Sequence, residues 1–154
     1  MKTKLSADVL KALAGRTLAT AESLTGGGIG SALTSVSGAS AVYVGGVVSY
    51  VNRVKRDLLG VPEELLNSLG PVSAPVAQTM AEGARKALGS DVAVSVTGLA
   101  GPDGDEFGHP VGTVFIGYAD DKTALAREYH FNGDRAQVRE QTVCAALSLV
   151  LEMN

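Results

Sequence analysis

The chain has 154 residues, about the size of one ordinary domain, and a body of that length buries a sizeable core. Its 45% hydrophobic and 19% charged content is too apolar for a disordered chain. A formal net charge of -3, with no tryptophan and 5% aromatics, leaves neither a global positive field nor a stacking platform, so nucleic acid is excluded as an expected partner. The single cysteine excludes a disulfide framework or a multi-cysteine zinc site and points to a reducing compartment. Met1 leads into the polar start MKTKLSADVLKAL, and no run approaches the ~20 apolar residues of a membrane span, so a cytoplasmic protein without membrane association is expected.

In chain order, Ser6 is placed to cap a short helix over Ala7 to Leu13, closed by Gly15, and Thr17 to Ala21 reads as a small buried strand. Thr25 to Thr34 contains three consecutive glycines, which suit a tight strand-to-helix turn better than a helix interior. Ala41 to Tyr50 is the next strand, with Gly45 and Gly46 marking a bulge or a close backbone approach. Asn52 is placed to cap a helix through Leu58, and Pro62 opens a second short helix that ends at Gly70. Val76, Met80, Ala84 and Leu88 make one face of a helix from Ala74 to Leu88, stopped by Gly89. Asp91 to Thr97 is a strand that breaks into the loop GLAGPDGDEFGHP. Val111 to Tyr118 and Leu125 to Phe131, joined across ADDK, imply an antiparallel hairpin, and a last helix runs from about Asp134 to Leu151. The pattern predicts one α/β domain over 1–154, a three-layer α/β/α sandwich around a mixed, partly parallel sheet.

Common catalytic and nucleotide motifs are absent. TGGGIG lacks both the dinucleotide spacing and the Walker lysine, and no nucleophile elbow, S-x-x-K or H-E-x-x-H occurs. His109, His130 and Cys144 read as packed or surface residues, and no compact ligand set offers itself to a metal, with Glu22, Asp103 and Asp105 the only fallback. What remains is convergence: ligands of open α/β sheets bind beyond the carboxyl ends of strands, and three such ends carry AESLTGGG, YVNRVKR and TGLAGPDG. There Ser23 has the position of a nucleophile, with glycine-turn amides to hold an anion or oxyanion; alternatively, Ser23 or Thr25 simply caps the next helix. Glu22 and Lys55 are the candidate bases, Lys55 on condition that burial or the nearby Arg53 and Arg56 lower its pKa; otherwise it belongs to a solvated basic face. Arg135 and Arg139, four apart, are placed on one helix face to clamp a phosphate or carboxylate, or else to pair with Asp134 and Glu140.

Six segments in this order, TAESLTGG, GGVVSYVNRVKRDLLGV, GPVSAPVAQTMAEGAR, VSVTGLAGPDG, PVGTVFIGYA and GDRAQVREQTV, resemble the CinA C-terminal domain family from about Thr17 to Leu151. The activity this resemblance implies is hydrolysis of the carboxamide of nicotinamide mononucleotide to nicotinic acid mononucleotide and ammonia, with no metal or organic cofactor. It implies Ser23 as nucleophile, Lys55 as base and Tyr50 as a substrate-contacting or proton-relaying group. Glu22, Thr25, Gly26, Gly27, Gly46, Thr97, Gly98, Arg135 and Arg139 are the expected substrate-binding set, and a homo-oligomer is expected. Leu24 stands where many relatives carry cysteine and Val51 where they carry serine. The loop PDGDEFGHPVG differs too, with Asp105 and Glu106 expected to bring negative charge near a phosphate-bearing ligand. Pyrophosphate hydrolysis, associated with an extra N-terminal domain of longer relatives, is not expected. The competing readings are a catalytically silent nucleotide-binding module and an interaction protein linked to competence or DNA damage.

Overall fold

A computed structural model describes residues 1–154. Eleven elements follow one another: α1 (Lys2–Ala12), β1 (Leu18–Glu22), α2 (Gly28–Thr34), β2 (Tyr43–Val48), α3 (Asn52–Leu59), α4 (Glu63–Leu69), α5 (Ala74–Leu88), β3 (Val92–Gly98), β4 (Thr113–Ala119), β5 (Ala124–His130) and α6 (Arg135–Met153), with one 3-10 turn at Ala39–Ala41. The strands form one sheet in the order β2-β1-β3-β4-β5. β1 runs parallel to β2 and β3, while β4 and β5 turn back antiparallel. The mixed α/β architecture expected from the sequence is therefore present.

Strand alternation divides the interior between the two faces of the sheet. Leu18, Val92, Val94 and Val96 pack with residues of α1, α2 and α6, among them Val9, Ile29 and Leu147, in the larger core. Ala19, Ala21 and Ala93 face the other way, onto Leu59, Leu66, Val76 and Met80 of α3, α4 and α5. These two cores make the three layers.

Local chemistry sets most boundaries. Ser73 accepts the Val76 amide, proline stands in the first turn of α5, and Gly89 closes the helix in the left-handed conformation at φ 62°. Asp134 and Gln137 form a reciprocal capping box at the start of α6. The bulge expected in β2 falls where Leu18 pairs with Tyr43 but Ala19 pairs with Gly45.

Two caps differ from expectation. α1 begins at Lys2, and Ser6 lies fully buried inside it rather than at its start. Leu5, Val9 and Leu13 form a stripe at i, i+4 and i+8 that carries the helix one turn further back, with Leu5 packed on the core. Asn52 makes no side-chain cap, because Val51 occupies that position in α3. β2 also starts two residues late, since Ala39–Ala41 turns before Tyr43 joins the sheet.

Candidate functional site

Because β1, β2 and β3 are parallel, their carboxyl ends meet at one edge of the sheet, and the three unusual segments meet with them. Ser23 follows β1 directly, and its amide extends the ladder by donating to the Val96 carbonyl. The Ser49 amide, just past β2, donates to the Glu22 carbonyl and ties the second strand end to the first. Lys55 enters from the first turns of α3. Its ammonium donates to the Ser49 carbonyl at 2.9 Å and to Ser23 Oγ at 3.2 Å.

Lys55 is 1% exposed and Ser23 7%, so this contact is shielded from bulk water. No carboxylate pairs with the ammonium, and burial alone lowers the Lys55 pKa from its ordinary 10.5 to about 8. The alternative of a solvated basic face is therefore set aside. The neighbouring cations expected to assist are not the cause: Arg56 pairs with Asp57 and Glu63 at the surface.

Beside the pair opens a cleft of about 440 Å³. Ser23, Lys55, Tyr50, Thr97, Gly98 and Arg135 all line it, so six of the expected site residues come together. Tyr50 is 59% exposed at the rim, where its hydroxyl accepts from Arg135 Nη2 at 3.2 Å. Arg135 Nη1 donates to the Gly101 carbonyl at 2.7 Å, leaving the remaining guanidinium N–H groups free. Thr97 Oγ1 is committed to the Pro71 carbonyl, so this threonine offers shape more than a hydrogen bond.

The other expected site residues lie behind the cleft. Glu22 is next to Ser23 in sequence, but strand alternation turns it toward α2. Its buried carboxylate accepts the Thr25 hydroxyl at 2.6 Å and the Ile29 and Gly30 amides at 2.7 and 3.0 Å. Glu22 thus satisfies the start of α2 and has no free oxygen directed at Ser23. The capping alternative for Ser23 and Thr25 also fails, since Gly27 is the N-cap residue, in a left-handed conformation at φ 102°. Gly26 and Gly27 contribute backbone only, and Gly26 donates back to the Ser23 carbonyl. A Cβ at Gly46 would collide with the Thr20 hydroxyl, which makes that glycine a packing residue.

The expected arginine clamp is split. Arg139 donates from Nε to the Leu24 carbonyl at 3.0 Å and from Nη2 to the Thr25 carbonyl at 3.3 Å, so it fastens the glycine turn from behind while Arg135 alone faces the cleft. Neither arginine pairs with Asp134 or Glu140; Glu140 pairs with Lys2. The turn's carbonyls point to Arg139, and the amides of Leu24, Thr25 and Gly27 find no acceptor in the protein. Leu24 lines the cleft, and its place directly after Ser23 makes its amide a candidate oxyanion donor.

Asp105 and Glu106 do not line the cleft. Asp105 is held by His109, with Nδ1 2.8 Å from Oδ2, and accepts the Phe107 and His109 amides. Asp103 lines the cleft in their place, and the GPDG turn after β3 was the signal for it. Ser49 was also missed, because its contribution is a backbone carbonyl that no side-chain pattern announces. No three His, Cys, Asp or Glu side chains lie close enough to hold a metal ion, and no helix is long and apolar enough to cross a membrane.

These features define a small α/β protein with a buried serine–lysine pair at the carboxyl edge of a mixed sheet. The CinA C-terminal domain model matches residues 2–154, and the chain belongs to that family. It is 52% identical over 134 residues to a CinA-like protein of Geotalea daltonii (strain DSM 22248 / JCM 15807 / FRC-32), covering 87% of this chain and 32% of that one. A CinA-like protein of Synechococcus sp. (strain RCC307) is 51% identical over 150 residues, covering 95% and 36%. The chain thus spans about a third of the length of these sequence relatives. Among solved structures, competence damage-inducible protein A (ComA) from Klebsiella pneumoniae subsp. pneumoniae MGH 78578 matches with a TM-score of 0.96 and 36% identity, covering 98% of this chain and 95% of that one. A competence-damaged protein (CinA) superfamily protein from Escherichia coli matches with a TM-score of 0.97 and 32% identity, covering 100% and 91%.

Proposed function

We propose that this protein hydrolyses the carboxamide of nicotinamide mononucleotide, giving nicotinic acid mononucleotide and ammonia. The observation that carries the reaction type is the shielded 3.2 Å contact between Ser23 Oγ and Lys55 Nζ, with the lysine pKa brought to about 8. The substrate rests on the resemblance of the chain to its family, supported by a cleft in the size range of small-molecule sites and by Arg135 with donors to spare for a phosphate.

In this reading, neutral Lys55 takes the proton from Ser23 Oγ as that oxygen attacks the carboxamide carbon. The charge on the carbonyl oxygen develops beside the free Leu24 amide. When the tetrahedral adduct collapses, the C–N bond breaks, and Lys55 returns the proton to the departing nitrogen so that it leaves as ammonia. A nicotinoyl ester on Ser23 remains. Water attacks it, Lys55 takes the water's proton and passes it to Ser23 Oγ, and the acid is released. Arg135 engages the phosphate, and Tyr50, bonded to Arg135, borders the substrate.

The test is a coupled measurement of ammonia and nicotinic acid mononucleotide in equal amounts from the purified protein. Stoichiometric formation of both supports the reaction. Saturable binding without release would instead indicate a silent nucleotide-binding module, and neither binding nor release would favour an interaction role.

A further inference from the structure

Asp103 supplies the only carboxylate that lines the cleft, and that carboxylate makes no hydrogen bond or ion pair within the protein. The backbone around it, by contrast, is fastened on both sides. Before it, Arg135 holds the Gly101 carbonyl at 2.7 Å. After it, the Asp105 side chain accepts two amides and pairs with His109, and the Phe107 ring packs so closely on Gly70 that a Cβ there would meet it. Asp103 itself is exposed at the cleft wall, carried on this fastened turn. The loop carries an unused, acceptor-only group at a fixed position over the site.

Resting on the reaction proposed above, we propose that Asp103 determines substrate specificity by accepting the two ribose hydroxyls of a ribosyl phosphate. A carboxylate has two acceptor oxygens and no donor, and a vicinal diol offers two donors at matching separation. Arg135 touches Gly101, two residues away, so the phosphate donor and the diol acceptor sit on one short stretch of the cleft wall. This arrangement suits a ligand in which a phosphate and a diol share one sugar.

A substrate–residue cycle tests this. Wild type and Asp103→Asn are compared on nicotinamide mononucleotide and on its 2′,3′-dideoxy analogue, with melting temperatures confirming that both proteins fold. The expected result is a loss in kcat/KM of about tenfold or more for Asp103→Asn on the ribose substrate, and less than about twofold on the analogue. Equal losses on both would overturn the assignment, since the carboxylate would then be acting on the ring charge or the loop. No loss on either would overturn it as well. The same cycle on dissociation constants, in a Ser23→Ala background, separates this proposal from the reaction. Coupling between Asp103 and the diol in binding, without wild-type turnover, would sustain the specificity role and reject the hydrolysis, whereas absence of binding would reject both.

Discussion

Lys55 Nζ lies 3.2 Å from Ser23 Oγ although 32 residues separate them, and the Ser49 carbonyl holds the ammonium from a second side at 2.9 Å. Two strand ends and one helix therefore fix a hydroxyl beside an amine, and burial disfavours the charged lysine. That arrangement governs how activity and stability respond to pH.

With the lysine titrating near 8, roughly a tenth of the protein carries the neutral amine at pH 7. kcat/KM is expected to rise about tenfold from pH 6 to 7 and to level off above about 8.5. Lys55→Arg is expected to lose turnover across the whole range, because guanidinium stays protonated. Initial rates from pH 6 to 10 check both. A flat profile would place the base elsewhere.

Stability responds in the same direction. Between about 8 and 10.5 the unfolded chain still binds the proton that folded Lys55 has released, so stability rises with pH across that window. Below about 8 both states are protonated, and the folded state bears the full cost of the buried charge, about 3 kcal/mol. Lys55→Met removes that cost and leaves the Ser49 carbonyl short of a donor. Relative to wild type, the variant should therefore be at its most stable near pH 7 and lose that advantage by pH 10.5. Urea midpoints at the two pH values measure the difference.

Glu22→Gln is expected to destabilise the fold by about 2–4 kcal/mol, because an amide accepts through only one of its terminal atoms and loses the charge-assisted bonds to the turn and to α2. A variant as stable as wild type in chemical denaturation would show that the carboxylate does not hold that turn.

The two arginines should separate kinetically. Arg135→Ala should raise KM for the mononucleotide by about tenfold while changing turnover of the phosphate-free riboside little. Arg139→Ala frees the Leu24 and Thr25 carbonyls and should lower kcat on both substrates. Identical effects on the two substrates for both variants would remove the phosphate assignment.

The contrast between these arginines also marks where the sequence was legible. Helix periodicity placed both on one face, but which one reaches the cleft depends on the turn carbonyls that capture Arg139, a long-range fact. α5 was readable to the residue because Ser73, proline and Gly89 punctuate it locally. Parallel strands put the three loop motifs together as their sequences implied, so Ser23, Lys55 and Tyr50 line one cleft. Glu22 was misplaced because adjacency along a chain means opposite sides in a strand. Asp103 was read only as a fallback metal ligand, while the charge expected near the ligand was assigned to Asp105 and Glu106; Asp105 is instead taken up by His109, four residues on.

The most direct measurement of the central claim is kcat for Ser23→Ala in ammonia release from nicotinamide mononucleotide, on protein shown to fold and bind. Ser23 is buried and its hydroxyl caps no helix, so truncation should leave the fold intact. If Ser23 forms the covalent ester, kcat should fall by about a thousandfold or more. A variant retaining more than about a tenth of wild-type kcat, a barrier change under ~1.4 kcal/mol, would mean that water attacks the carboxamide directly and would contradict the serine mechanism.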